Sequence, residues 1–210
     1  MTITTYDPTM TMKQARDRYF AVNGFGADGG YSDAWADFKL GPIPFPFPNT
    51  PARIRALSYH DLHHVLTDYD TDLRGEFEIS AWEIGAGCKD FVAAWALNLG
   101  GLAGGTMLCP RRTFRAFVRG RRTTSLYGKD VNELLGQSVG EVRAASHIHR
   151  SSDPREAREH ATAADVVAYG AAVTAGLVIG TLFLGLGSLL APVGLLANLI
   201  RPKKQPAAAV

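Results

Sequence analysis

The sequence predicts an all-α, single-domain protein with a C-terminal apolar membrane segment, and three observations carry that expectation. Apolar residues recur at helical spacing at Ile54, Leu57, Leu62 and Leu66, and again at Phe77, Ile79, Trp82 and Ile84. No period-2 alternation persists anywhere, so little sheet is expected. A run of 35 residues, Val166 to Ile200, carries no charge. With 210 residues, 46% of them hydrophobic, the chain is long enough for one sizeable core plus appended segments. Residues 1–50 read as an N-terminal helix and a Pro-rich strap, 51–150 as the helical body, and 151–210 as a basic linker and the apolar segment, at about 166–200.

Along the chain, Thr9 to Phe20 suits a short amphipathic helix, and the glycine-rich Asn23 to Ser32 a turn. In GPIPFPFPNT, residues 41–50, prolines alternate with Ile43, Phe45 and Phe47, which predicts an extended strap packed on a neighbour. Thr50 before Pro51 is an N-cap followed by proline at the first helical position, so a helix is expected from Pro51 to about Thr67. After the turn-rich DYDTDLRG, a second helix starts near Glu76. Phe91 to Leu108 is a glycine-rich helix that serves either as the wall of an apolar tunnel or, more simply, as part of the core. Pro110 then opens the basic run RRTFRAFVRGRR, and shorter helices are expected at Val131 to Leu135 and Val139 to Ala145. Cys88 and Cys109 show no metal-ligand spacing and read as two reduced thiols.

The chemistry concentrates in SYHDLHHVLTDYDTDLRGE. On a helix turning ~100° per residue, His60, Asp61 and His64 fall within an arc of ~100° and can face one point. Histidines at i and i+4 are a familiar pair for a divalent ion, Asp61 offers an oxygen beside them, and Glu76 opens the next helix as a fourth donor. Two imidazoles and two carboxylates suit zinc. His63 points to the flank of the same helix, where it either supports the ligands or lies at the surface. For an isolated H-x-x-x-H pattern, a polar helix face with ordinary hydrogen bonds is the commoner outcome.

HDLHH, then eleven residues, then Glu76 resembles the HDxxH-x11-E signature of the fourth coenzyme Q (ubiquinone) biosynthesis protein family. VLTDYDTDLRGE is similar to that family's turn between two helices, and FRAFVRGRRTTSLYGKDVNELLGQSVGEVR to its C-terminal end, so the resemblance covers roughly Arg53 to Ile148. Where the family commonly reads T-G-Y, this chain has Thr67, Asp68 and Tyr69, which adds a carboxylate near the site. The resemblance implies a helical fold, a zinc ion on His60, Asp61, His64 and Glu76, and a role in making a prenylated quinone. The implied reaction is oxidative decarboxylation at ring carbon 1 of a polyprenyl hydroxybenzoate, with Asp61 as catalytic base; the rival class is a lipid-binding scaffold with a structural zinc. The implied partners are a prenylated aromatic or quinone lipid, a membrane and other quinone-biosynthesis proteins, with a homo-oligomer left open.

The uncharged run would measure ~52 Å as one helix against a hydrocarbon core of ~30 Å. Either a single span crosses near Tyr169 to Leu190 and a surface segment follows Pro192, or the run folds back as a hairpin near Gly185 to Ser188. Arginines and lysines flank both ends, so no orientation follows from charge. Met1 to Lys13 has no basic start followed by an apolar core, which places the body on the cytoplasmic face of the membrane as an expectation. Arg111, Arg115, Arg119 and Arg122 share one face of a helix that suits an anionic membrane surface, or packs by its phenylalanines as a solvated basic helix. Nucleic acid is not expected, because no recognition module accompanies the arginines and the net charge is only +2.

Overall fold

A computed structural model describes residues 5–40, 43–149 and 161–200. Among these, the chain forms α1 (Met12–Asn23), a hairpin of β1 (Trp35–Leu40) and β2 (Ile43–Pro48), α2 (Pro51–Thr67), α3 (Leu73–Ala86), α4 (Val92–Leu108), α5 (Pro110–Gly120), α6 (Val131–Gly136), α7 (Val139–Ala145) and α8 (Ala163–Ile200). The protein is predominantly helical, as the sequence predicts.

Local chemistry sets the helix ends. Thr11 and Gln14 close a capping box on α1, so that helix starts later than Thr9 and runs on to Asn23. Thr50 Oγ1 accepts from the Arg53 N–H with Pro51 in the first turn, which fixes α2 at the expected boundary. Asp72 caps α3 by accepting from the Gly75 N–H at 2.7 Å, so this helix begins three residues before Glu76 rather than at it. Gly75 is required there, because a Cβ would collide with the Asp70 carbonyl.

The strap is extended as expected, but its partner was not foreseen. It pairs with β1 as an antiparallel hairpin in which Trp35 faces Pro48 and Leu40 faces Ile43. Pro44, Pro46 and Pro48 occupy every second position, leaving the N–H groups of Ile43, Phe45 and Phe47 to serve one side. Such alternation suits an edge strand, since proline cannot donate to a ladder.

α3 packs against both α4 and α5, α2 against α1, α3, α4 and α7, and α4 against α8. Their shared core contains Phe20, Leu62, Leu66, Ile79, Trp82, Leu102 and Tyr127, all at most 2% exposed. The glycines of α4 serve this packing. A Cβ at Gly101 would strike the Ser80 side chain on α3, and one at Gly176 on α8 would strike the Leu99 carbonyl on α4. The glycine-rich segment is thus a helix packed closely against α3 and α8, as a core helix would be.

α8 is one continuous helix, so the hairpin at Gly185 to Ser188 does not form. A reversal inside an uncharged run would leave the turn's backbone groups without partners, whereas a helix satisfies them internally and forgoes one bond at Pro192. Thr162 and Asp165 cap its start: Thr162 Oγ1 donates to Asp165 Oδ2 at 2.9 Å, and the Asp165 N–H donates back to Thr162 Oγ1 at 3.2 Å. Ala163–Leu182 is long and apolar enough to cross a membrane, with a mean hydropathy of 1.6 and only 11% of its apolar window buried.

Candidate metal centre

Two turns of α2 and the first turn of α3 meet at three donors. His60 Nε2 lies 3.2 Å from His64 Nε2 and 3.4 Å from Glu76 Oε2, and His64 Nε2 lies 3.5 Å from Glu76 Oε1. With one ligand atom taken from each residue, the three lie within 4.8 Å of one another, close enough to share one divalent ion. The opposite edge of each ring is engaged. His60 Nδ1 meets Glu83 Oε1 at 3.0 Å, and His64 Nδ1 donates to the Tyr69 carbonyl at 3.0 Å, while the His64 ring stacks on Tyr19. Engaging Nδ1 in this way turns both Nε2 atoms toward the shared point.

Electrostatics agree with the geometry. Burial opposes charge on His60, but Glu83 and Glu76 override it and raise the imidazole pKa well above its ordinary value. Burial also opposes charge on Glu76, yet the hydrogen bonds and charges of His60 and His64 hold its carboxyl far below the usual carboxylate range. The pocket keeps its carboxylate ionised and supplies one proton, in the arrangement a cation replaces.

Asp61 stands apart from these three donors. It is 4% exposed, and its Oδ2 accepts from the Tyr31 hydroxyl at 2.6 Å. Burial raises its pKa against the pull of Tyr31 and the two histidines. Asp61 shares with His60 and Glu76 the wall of a cavity of about 320 Å³, roofed by the Gly29 to Asp33 loop and rimmed by the half-exposed rings of Phe25 and Trp35. The tight group therefore consists of three residues beside an open space, with the fourth expected donor set back from it.

Sequence reasoning passed over Glu83, on which much of the site rests. Wholly buried, it receives hydrogen bonds from His63 Nδ1 at 2.7 Å, from the Tyr127 hydroxyl at 2.6 Å and from the Asn98 amide, besides meeting His60. Burial pushes its pKa up, but His60 and His63 more than reverse this and keep it a carboxylate. One signal was present: Glu83 follows Glu76 by seven residues, two turns of one helix, and sits between Trp82 and Ile84 on an apolar face.

His63 is in the core and not at the surface. Its Nδ1 donates to Glu83 and its Nε2 accepts from the Leu126 N–H at 2.9 Å, and burial lowers its pKa, so it is a neutral ring supporting Glu83. Asp68 does not reach the site. It ends α2 in the left-handed region, φ 59°, and pairs with Arg143 Nη2 at 2.8 Å.

The arginines of the basic run divide. Arg111 is exposed, whereas Arg115 is half-buried with its Nε lacking a hydrogen-bond partner. Arg119 donates to the Thr67 and His149 carbonyls and lies over the Tyr69 ring. Arg122 falls beyond the end of α5 and binds the Val118 carbonyl and Asp165. Arg119 and Arg122 thus face protein partners rather than one common outer surface. Cys88 is buried and Cys109 half-buried, both as free thiols.

No family model, no curated protein and no solved structure matches this chain.

Proposed function

We propose that the protein is a membrane-attached, zinc-dependent enzyme of prenylquinone biosynthesis that removes the ring carboxyl of a polyprenyl hydroxybenzoate by oxidative decarboxylation. The observation that carries this reading is the set of three donors within 4.8 Å of one another beside an open cavity. Three protein ligands with one position left open is the arrangement of catalytic zinc, whereas structural sites close with four. The HDxxH-x11-E resemblance supplies the substrate class.

His60, His64 and Glu76 would hold the ion, with Asp61 adjacent. When bound, zinc supplies Lewis acidity for a carboxylate or phenolate oxygen and no redox chemistry. The ring is the reductant and dioxygen the oxidant, and the atoms balance: one hydroxybenzoate and one dioxygen give one quinone, one carbon dioxide and one water. Asp61, held by the Tyr31 hydroxyl, takes the phenol proton at its carboxylate. Tyr19 and the Gly29 to Asp33 loop shield the ring from water, and Phe25 and Trp35 give a prenyl tail an apolar way out of the cavity.

Membrane attachment is part of the proposal because the substrate is nearly insoluble in water. Val167, Val178 and Leu182 on α8, with Met107 and Leu108 on α4, are large apolar side chains left exposed on two adjoining helices.

Two measurements test the proposal. Purified protein is expected to carry about one zinc per chain, and His64→Ala to carry none. Cells with Asp61→Asn as their sole copy are expected to accumulate labelled carboxylated precursor while the variant is folded and present at normal level. Undiminished conversion there would remove the enzyme reading and leave a lipid-binding scaffold with a structural ion.

A further inference from the structure

Arg53 stands seven residues before His60 on α2, with Leu57 between them, so Arg53, Leu57, His60 and His64 follow one face of a helix. Seven residues carry this face ~10 Å along the helix axis. Arg53, Leu57 and His60 all line the 320 Å³ cavity. The cavity wall holds Asp33, Asp61 and Glu76, but Arg53 is the sole arginine or lysine among its described lining residues. An acidic wall repels an anionic ligand unless a cation offsets it.

The guanidinium is held in place. Arg53 Nη1 donates to Asn49 Oδ1 at 2.6 Å, and the Asn49 amide donates in turn to the Asp33 carbonyl at 2.8 Å and the Gly30 carbonyl at 3.1 Å. Asn49 thereby ties Arg53 to the loop that roofs the cavity. A cation fixed before binding loses little rotamer freedom on meeting its ligand, and its planar fork matches a carboxylate. The same cavity is lined by Tyr19 and Phe25, whose rings meet edge to face at 5.5 Å.

Resting on the function proposed above, we infer that Arg53 selects the substrate by receiving the carboxylate of an aromatic acid, while an oxygen on the far side of the ring points to His60, His64 and Glu76. The ~10 Å axial step from Arg53 to His60 is the separation that such a ring, with a hydroxyl opposite its carboxyl, has to bridge. Arg53 acts in recognition, and Asn49 positions it.

The test is calorimetric titration of the zinc-loaded full chain in detergent with 4-hydroxybenzoate and with its neutral counterpart, 4-hydroxybenzamide. Wild type is expected to favour the acid. Arg53→Gln is expected to weaken the acid about tenfold, the scale of one charge-assisted pair, and to leave the amide and the zinc content unchanged. Arg53→Lys should recover part of the loss, and Asn49→Ala should weaken the acid selectively. Equal weakening of acid and amide, or unchanged acid binding in a folded Arg53→Gln, overturns the inference. The His64→Ala protein separates the two proposals. Acid binding that depends on Arg53 but is indifferent to zinc supports the recognition role and removes the metal from the substrate site. Acid binding lost in His64→Ala and intact in Arg53→Gln does the reverse.

Discussion

Glu83 holds His60 from the side opposite the candidate metal position, with Oε1 3.0 Å from Nδ1, and the same oxygen lies 2.7 Å from His63 Nδ1. A single buried carboxylate therefore orients one donor ring and one core ring. Its second oxygen is occupied by Tyr127 and Asn98. The candidate metal position is thus tied to the middle of the core through α3.

Glu83→Gln is accordingly expected to lower zinc affinity by about 10–100-fold, the usual cost of losing a carboxylate behind a ligating histidine. An amide keeps the size of the side chain, but its NH2 must face either the two imidazole N–H groups or the Tyr127 hydroxyl and the Asn98 amide, all of which donate to the carboxylate. Competition against a chromophoric chelator reads the change, and a wild-type affinity in the variant would show that Glu83 matters only to the fold.

The metal-free protein should lose stability at both ends of the pH range. Glu76 and Glu83 have depressed folded pKa values, so their stabilisation is present above the ordinary 4.5 and is lost as the pH falls below it. At the alkaline end, burial pushes Tyr6 up to about 12 and raises Tyr19 and Tyr127 further. Above pH 10 the unfolded chain gives up phenolic protons that the folded one keeps, so stability falls as pH rises, by about 1.4 kcal/mol per pH unit for each such tyrosine. Urea midpoints across pH 3 to 12 test this. A midpoint flat above pH 10 would show the tyrosines to be solvent-accessible.

Arg143→Ala should destabilise the fold by about 3 kcal/mol. Arg143 is 6% exposed and donates to the Val65 and Leu66 carbonyls at the end of α2, one and two residues beyond His64. Removing it leaves those carbonyls and Asp68 without their cation. Chemical denaturation measures the loss, and a change below about 0.5 kcal/mol, the scale of an ordinary surface substitution, would contradict it.

The double substitution Val178→Lys and Leu182→Lys should move the protein from the membrane pellet toward the supernatant. Both residues are exposed, at 58% and 68%, and lie one turn apart on α8. Each lysine costs about 2.5–3.5 kcal/mol at the centre of a bilayer but little in water. Unchanged sedimentation with membranes would mean that this face of α8 does not meet lipid.

Much of this was readable in the sequence because the signals were local. Thr50 and Pro51 define the start of α2, and the spacing of His60, His64 and Glu76 needs only helical geometry and one turn. Glu83 stayed hidden because its meaning depends on Tyr127 and Asn98, 44 and 15 residues away, and on the crossing of α2 over α3. The hairpin stayed hidden because prolines in a strand read as an extended segment, and no local feature of 41–50 names Trp35–Leu40 as its partner. Arg119 and Arg122 are alike in sequence to the exposed Arg111; what separates them is the position of the Thr67 carbonyl and of Asp165, set by tertiary packing.

The seating of α8 on α4 bears on how the protein is made. α4 is complete at Leu108, but Gly176, which seats against Leu99 and Ala103, follows much later on α8. At ~5–20 residues per second, roughly 3–14 s of translation separate the two. Through that interval the nascent chain shows an apolar helix with its partner still unsynthesised, which is a surface that chaperones or a nearby bilayer will bind. Slow elongation between those positions should therefore raise the yield of aggregated chains made without a membrane, and change it little where a membrane is at hand.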